Sequence, residues 1–496
     1  MPCLLPRAPR NRVGSSTIAS SRAALAATTF AITLLSGCAV YHAKPLPSSD
    51  SLLTQAALAR VQIDPAEMPL PELAAHRFDP SDGFDMEDVA ILAVANNPDL
   101  RLARDDLGIA QAQAFSAGLL PDPQVSVSSD YPGAAGFSRA FSYGLSMDVM
   151  AIVTRSANKK SADATVSKTD LGLLWQEWQV VAQARQLFVK ARFQNDVLPL
   201  LAQQAELAQT RYVRTAHAAS EHNVTADTTT AALTAWQDAR KQYADIQHAR
   251  EQTHHDLNAL VGLAPEVDLP LVGAAAVEPL DASTLDAAVA ALPQRRPDLI
   301  ALQAGYEAQE QKYRAAILNQ FPSLSVGFTR QRDTSEIYTS GFAINLTLPV
   351  FNRNRGNIAI EQATRQRLAD EYQDRLNTAY ADIAHLRADN ALAGQQLAQD
   401  EAALPALNEA AARAHDAYAA HNIVLGQYVD AQSAALARQV DAAMAREALA
   451  EQRISLQALL GSAIPDPYAD APAAHDNTNG STHASSDAAT NAPANR

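Results

Sequence analysis

The chain has 496 residues, enough for several ordinary domains, yet only 19 Gly and 6% aromatic residues, a balance that favours long helices over a wide sheet. Its acidic balance, a formal charge of −15, argues against binding nucleic acid or anionic lipid through charge. No uninterrupted apolar run approaches the ~18 residues of a membrane-spanning helix, so any passage across a bilayer must use strands.

Arg7, Arg10, Arg12 and Arg22 stand among the residues up to the apolar stretch "AALAATTFAITLL", and "LSGC" follows at 35–38. A basic region, an apolar region and a small-residue cleavage site form a bacterial export signal over 1–37. The tetrapeptide resembles a lipobox, which makes Cys38 the acylated first residue of the mature chain. Ala39 after it, rather than Asp, favours an outer-membrane destination. Loss of the four Arg takes the net charge from −15 to −19, and Cys38 is then the only cysteine, so no intrachain disulfide can form. An extended leader is expected over 38–85.

From there the chain is written twice. "NPDLRLA" at 97–103 returns as "RPDLIAL" at 296–302, and one gap-free offset carries Pro123 to Pro322, Tyr143 to Phe342, His222 to His421 and Gly262 to Gly461. The first repeat spans 86–262 and the second 296–461, joined by a linker over 263–295. Each begins with a helix of about 25 residues from the PDL motif to Pro123 or Pro322. Two alternating strands follow: "PQVSVSSDY" and "AFSYGLSMDV", then "PSLSVGFTRQ" and "YTSGFAINLTL". At about 10 residues, each is long enough to cross an outer membrane when tilted. Alternation through Phe342, Ile344, Leu346 and Leu348 puts those side chains towards lipid and Ala343, Asn345 and Thr347 towards a lumen.

The second pair of strands stops at Pro349, and the polar elbow Asn352, Arg353, Arg355, Gly356 leads into a long helical pattern. From Ala157 to Ser220 the first such pattern covers some sixty residues, roughly 95 Å at the α-helical rise. Three-four spacing of apolar residues gives it coiled-coil character, and Pro199 and Pro405 are expected to bend their helices. Each hairpin turns back at "HNV" or "HNI" and stops at Gly262 or Gly461. Beyond Pro465 the tail is polar and low in complexity, and 462–496 are expected to be disordered.

Four strands cannot close a barrel, and open sheet edges are not tolerated in lipid. The chain must pool strands with copies of itself, and three copies give twelve.

"DGFDMEDVAILAVANNPDL", "AGLLPDPQVSVS", the second PDL motif, "LPVFNRNRG" and "AYAAHNIVLGQYVDAQ" together resemble the TolC-like outer-membrane efflux family, over about 83–461. The resemblance implies a mainly α fold with a β-barrel portion. Duplicated helical hairpins would form a trimeric periplasmic α-barrel, continued into a 12-stranded transmembrane β-barrel. It implies a homotrimer in outer-membrane lipid, docked on a periplasmic adaptor and an inner-membrane pump of the resistance-nodulation-division type. In that frame the elbow, Pro349 to Gly356, is where barrel wall becomes tunnel wall, with the turn conformation falling to Asn and Gly and the two Arg near the membrane interface. The turns His222, Asn223 and His421, Asn422 are the adaptor-docking candidates, although the family usually has Gly where this chain has His. Some members carry two acids beyond the second turn. The matching positions are Gln427 and Asp430, which leaves Asp430 as the candidate periplasmic gate, with Ala231 its repeat partner.

The elbow "PVFNRNRGNIA" and "LLPDPQVSVS" are more similar to the heavy-metal cation branch, while the lipobox is commoner in the multidrug branch. A structural coiled-coil lipoprotein of the periplasm is the alternative from another class. No nucleophile elbow, phosphate loop or metalloprotease motif is present, so neither an enzyme nor a cofactor is expected. His254 and His255 are adjacent and His217 and His222 miss the i, i+4 spacing. They are read as solvated, with no metal site.

Overall fold

The computed structural model describes residues 40–64, 68, 70–133 and 135–461. Residues 1–37, the lipidation candidate Cys38 and the tail 462–496 lie outside them. Two units divide after Ser51. In the first, residues 40–51 form neither helix nor strand and are exposed.

The second unit runs α1 (Gln55–Leu58), α2 (Pro71–Ala75), α3 (Met86–Asn96), α4 (Pro98–Gly118), β1 (Gln124–Asp130), β2 (Ala140–Asp148), α5 (Val149–Ser220), α6 (Ala226–Val261), α7 (Ala282–Ala290), α8 (Leu292–Arg295), α9 (Pro297–Leu318), β3 (Ser323–Arg332), β4 (Tyr338–Thr347), α10 (Arg355–Ala419) and α11 (Leu425–Leu460). The stretch expected to be extended thus contains two short helices, as does the linker. Parallel bridges Leu53–Leu263 and Phe84–Leu271 stitch one to the other.

The duplication survives in three dimensions. α6 and α11 have the same length, 36 residues, and each stops at a glycine in the left-handed region, Gly262 at φ 73° and Gly461 at φ 69°. α4 and α9 both open with proline, which suits a first helical position whose N–H has no partner. The long helices α5 and α10 have 72 and 65 residues. At ~1.5 Å per residue α5 is roughly 110 Å long, more than expected, because it starts directly at the end of β2. Neither Pro199 nor Pro405 ends its helix. Around Pro199, Val197 and Leu201 are buried against Val440 and Ala443 of α11, and this packing holds the helix together where one backbone hydrogen bond is missing.

The largest core lies at one level of the helices. α3 is buried from Asp88 to Val94, packed between α5, around Trp178 to Phe188, and the end of α6 at Leu257 and Val261. Burying Ile91 and Leu92 contributes about 1.5–3 kcal/mol each. Asp85 starts α3 with a capping box, accepting from the Glu87 and Asp88 N–H groups while Asp88 accepts from its own. The "NNP" of the first motif is explained here. Asn97 caps α4 at Leu100 N and donates to Leu260 O, and Asn96 donates to Val261 O at 2.6 Å, so both tie the motif to the end of α6.

The four strands form one antiparallel sheet in the order β1-β2-β3-β4, the central pair joining the two repeats. Its edges, β1 and β4, are unpaired in the single chain. Directly paired residues share a face. One face therefore carries Val125, Val127, Tyr143, Leu145, Met147, Leu324, Val326, Phe328, Phe342, Ile344 and Leu346. The other carries Ser126, Ser128, Gly144, Ser146, Ser325, Gly327, Thr329, Gly341, Ala343, Asn345 and Thr347. Phe342 is 90% exposed and Ile344 70%.

Candidate functional site

The elbow begins where β4 ends, at Thr347, and the turn is made by Arg353 and Asn354, at φ 48° and 54°. Of the Asn and Gly expected to share the turn, Gly356 lies instead in the first turn of α10 with open space around it. Asn354 can take this role because Asn tolerates the left-handed region and its side chain finds partners there: Nδ2 donates to Ala316 O at 2.8 Å, at the end of α9, and Oδ1 accepts from Asn357. Its own carbonyl accepts from Ile358 N, opening α10. Arg353 and Arg355 are exposed or nearly so, as are Asn352 and Gly356, and Pro349 is half-buried.

The first repeat has no such elbow. β2 passes straight into α5, which Asp148 caps at Met150 N and Ala151 N. Yet Arg155, the repeat partner of Asn354, does the corresponding job by donating Nε to Gly118 O at 2.8 Å. In both copies one side chain fastens the long helix to the carbonyl end of the helix before the strands. That equivalence has no sequence signal, since Arg and Asn share no pattern.

At the far ends of the long helices the two turns are nearly superposable in backbone terms. His222 has φ 59° and His421 φ 60°. Asn223 N donates to Ala218 O and His222 N to Ala219 O; Asn422 N donates to Ala417 O and His421 N to Tyr418 O. Each is a Schellman stop with His in the left-handed position that usually takes glycine. The backbone of the turn is kept without the glycine, and all four side chains are exposed.

Asp430 is not the free carboxylate that a reading of α11 alone suggests. Arg211 of α5 donates Nη1 to its Oδ1. Nearby, Arg214 donates to the Tyr418 hydroxyl at 3.1 Å, and Tyr418 stacks on Tyr428 at 4.9 Å. Gln427 folds back onto the start of α11, accepting from Val424 N at 3.4 Å. These bonds join α5, α10 and α11 close to the tips, and sequence reasoning missed both arginines.

His254 also departs from expectation. It is half-buried and its Nε2 donates to Val267 O at 2.9 Å, a carbonyl that Asn258 also reaches, so this histidine anchors the linker to α6. Among the described residues one cluster has the side chains of a metal site: His76, Asp85 and Asp88. All three already have protein partners, His76 Nε2 lying 3.1 Å from Asp88 Oδ1 within the capping box of α3. Burial raises the Asp88 carboxyl above its ordinary range, against the pull of the Asp85 N–H and His76. Among the described residues no helix is long and apolar enough to cross a membrane.

The family model "Outer membrane efflux protein" matches residues 289–462, essentially the second repeat. Two curated relatives align over part of the chain. "Probable outer membrane lipoprotein SilC" of Salmonella typhimurium is 24% identical over 155 residues, covering 29% of this chain and 34% of its own. "Outer membrane protein OprJ" of Pseudomonas aeruginosa is 29% identical over 163 residues, covering 30% and 33%. The matched stretch thus spans about a third of the length of these relatives. The fold is shared more widely. The solved structure of CusC superposes with a TM-score of 0.62 at 18% identity, over 86% of this chain and 100% of that one. The outer membrane channel CmeC of Campylobacter jejuni gives 0.65 at 16% identity, over 86% and 95%. The second repeat thus carries the sequence pattern of outer membrane efflux proteins, and most of the chain shares the fold of these solved channels.

Proposed function

We propose that the protein is the outer-membrane channel of a tripartite efflux system, carrying solutes out of the cell by passage rather than by catalysis. The observation that carries this reading is the sheet. Four strands in sequence order are apolar on one face, polar or small on the other, open at both edges, and continuous with helices of 72 and 65 residues. Three chains pair those edges into a twelve-stranded barrel with its apolar face to lipid, and the helices continue the wall into the periplasm. Cys38 adds a lipid anchor at the inner face of the same membrane. A structural coiled-coil lipoprotein would account for the helices but has no use for such a sheet.

The histidine turns at 222 and 421 are the proposed docking tips for a periplasmic adaptor, itself coupled to an inner-membrane pump of the resistance-nodulation-division type. Heavy-metal cations are the proposed cargo, supported by the likeness of the elbow to that branch of the family. Drug efflux is the second reading, supported by the lipobox. The test is direct. Outer-membrane fractions should hold a trimer that resists detergent until heated, and deletion of the gene should sensitise cells to heavy-metal salts. A monomer that leaves the membrane with mild salt would remove the channel reading. Sensitivity to drugs but not metals would reassign the cargo.

A further inference from the structure

The register of the sheet carries the apolar face into something different at the loop end. Along β3, Leu324, Val326 and Phe328 are followed on the same face by Arg330 and Arg332. Opposite Arg330 stand Tyr143 and Ser340, and opposite Arg332 stand Phe141 and Tyr338. Each row is ~6.6 Å further along the strands than the last, so the change from Phe328 to arginine takes one step. Arg139, just before β2, belongs to the same cluster: its guanidinium lies 4.2 Å from the Tyr131 ring centre, and its carbonyl accepts from Arg332 Nη2 at 2.8 Å. Arg332 in turn lies 5.5 Å over Phe141, and its buried Nε has no hydrogen-bond partner.

These three arginines are without counter-ions, none forming an ion pair among the described residues. The acids of the same loops are engaged elsewhere. Asp333 accepts from Ser335 N and Ile337 N, Glu336 accepts from the Ser138 hydroxyl at 2.6 Å, and Asp130, opposite Ala140, belongs to the polar face rather than the face of the arginines. An uncompensated guanidinium on the lipid side of a barrel is costly at mid-depth and tolerated near the interface. There it presents flat, paired donors that match a phosphate group. The surrounding Tyr131, Tyr143 and Tyr338 are the amphipathic rings expected at headgroup depth.

Given the channel reading, the helices occupy the periplasm and this end of the sheet faces the outer leaflet. We propose that Arg139, Arg330 and Arg332 form, on each chain, a binding surface for the phosphates of a phosphorylated outer-leaflet lipid. The surface lies on the outside of the barrel, so it plays no part in selecting cargo. It fixes the depth and rotation of the barrel in its membrane.

The test uses the full-length protein, purified in detergent, mixed with bisphosphorylated lipid A or its dephosphorylated counterpart, and repurified for mass-spectrometric lipid counting. Trimer sedimentation and channel conductance are recorded on the same samples. Wild type should retain the phosphorylated lipid in preference, and each of Arg139→Gln, Arg330→Gln and Arg332→Gln should lower retention about fivefold at unchanged conductance. Equal retention by the triple variant overturns the proposal, as does equal retention of the two lipids by wild type. Absence of trimers and conductance in wild type would sink the channel reading and this surface with it. Normal conductance without phosphate preference sinks the surface alone.

Discussion

Arg211 and Asp430, 219 residues apart, meet at 2.5 Å and join the long helix of the first repeat to the returning helix of the second. Their side chains are 37% and 64% exposed, so the pair contributes only about 0–1 kcal/mol to stability. Its interest is positional. It lies about two helical turns from the His421 stop, and any movement of the returning helix of the second repeat away from the long helix of the first must break it.

Arg211→Ala and Asp430→Ala should therefore each raise single-channel conductance with little change in thermal midpoint. The double variant should resemble either single one, because both remove the same contact. On the proposed trimeric channel, in which three copies of Asp430 would ring the axis and attract cations, Asp430→Ala should also weaken block by multivalent cations. If Asp430→Ala alters block but Arg211→Ala leaves conductance as in wild type, Asp430 works as a ring of charge and the pair is not a latch.

The positions with left-handed backbone set a second expectation. His421→Gly should be neutral or stabilising by up to about 1 kcal/mol, while His421→Val should cost about 1–2 kcal/mol, because a branched side chain clashes in that conformation. Gly356 sits in a helix with open space where an alanine methyl would go, so Gly356→Ala should stabilise by about 0.5–1 kcal/mol. Thermal unfolding of the purified protein measures all three. A destabilised Gly356→Ala would mean that glycine is needed for the elbow after all.

The two faces of the sheet can be told apart by charge. Arg in place of Ile344, in the middle of the apolar rows, should cost about 2–4 kcal/mol and deplete assembled trimer in the outer membrane. Asn345 lies on the polar face, which would face the lumen of the proposed barrel, so Arg in its place should be tolerated. Assembly lost with Asn345→Arg and kept with Ile344→Arg would show that the faces are reversed.

Glu447, half-buried on α11, titrates near the physiological range. Burial first, then the neighbouring Glu451, lifts its carboxyl to about 7 against the opposing charge of Lys190. Its folded pKa lies above its unfolded one, so the folded state binds the proton more tightly. The resulting stabilisation is complete below about pH 4.5 and is lost as pH rises to about 7. Glu447→Gln should remove most of this slope and raise stability at pH 8 by on the order of 1–2 kcal/mol, allowing for its partial exposure. A melting-temperature profile over that pH window with the same slope in both proteins would refute it.

Cys38 can be checked by labelling. Radioactive palmitate should enter wild type and not Cys38→Ser, and globomycin should cause a precursor to accumulate. On the proposed channel reading a barrel also holds the chain in the membrane, so Cys38→Ser should retain part of the export activity.

The strands, the repeat and the helix stops were legible in the residues because each is written in local pattern. Period-two alternation located four strands whose ends fell within one or two residues of those observed. One constant offset located the duplication, and left-handed stops at Gly262 and Gly461 follow from the one residue without a Cβ. The same local logic gave the elbow to Asn and Gly and left His254 to solvent; an Asn does take the turn, but Gly356 does not, and His254 is not left to solvent. Asn354 makes the turn because the carbonyl end of α9 offers its side chain a partner, and His254 is held by Val267 O. Arg155 and Asn354 serve one purpose with different chemistry, and Arg211 finds Asp430 across 219 residues. Periodicity is a property of neighbours in sequence, so the chain alone determined which segments are helix and strand and which faces are apolar. Pairing of polar side chains depends on which helices lie side by side, and only the tertiary packing decided that.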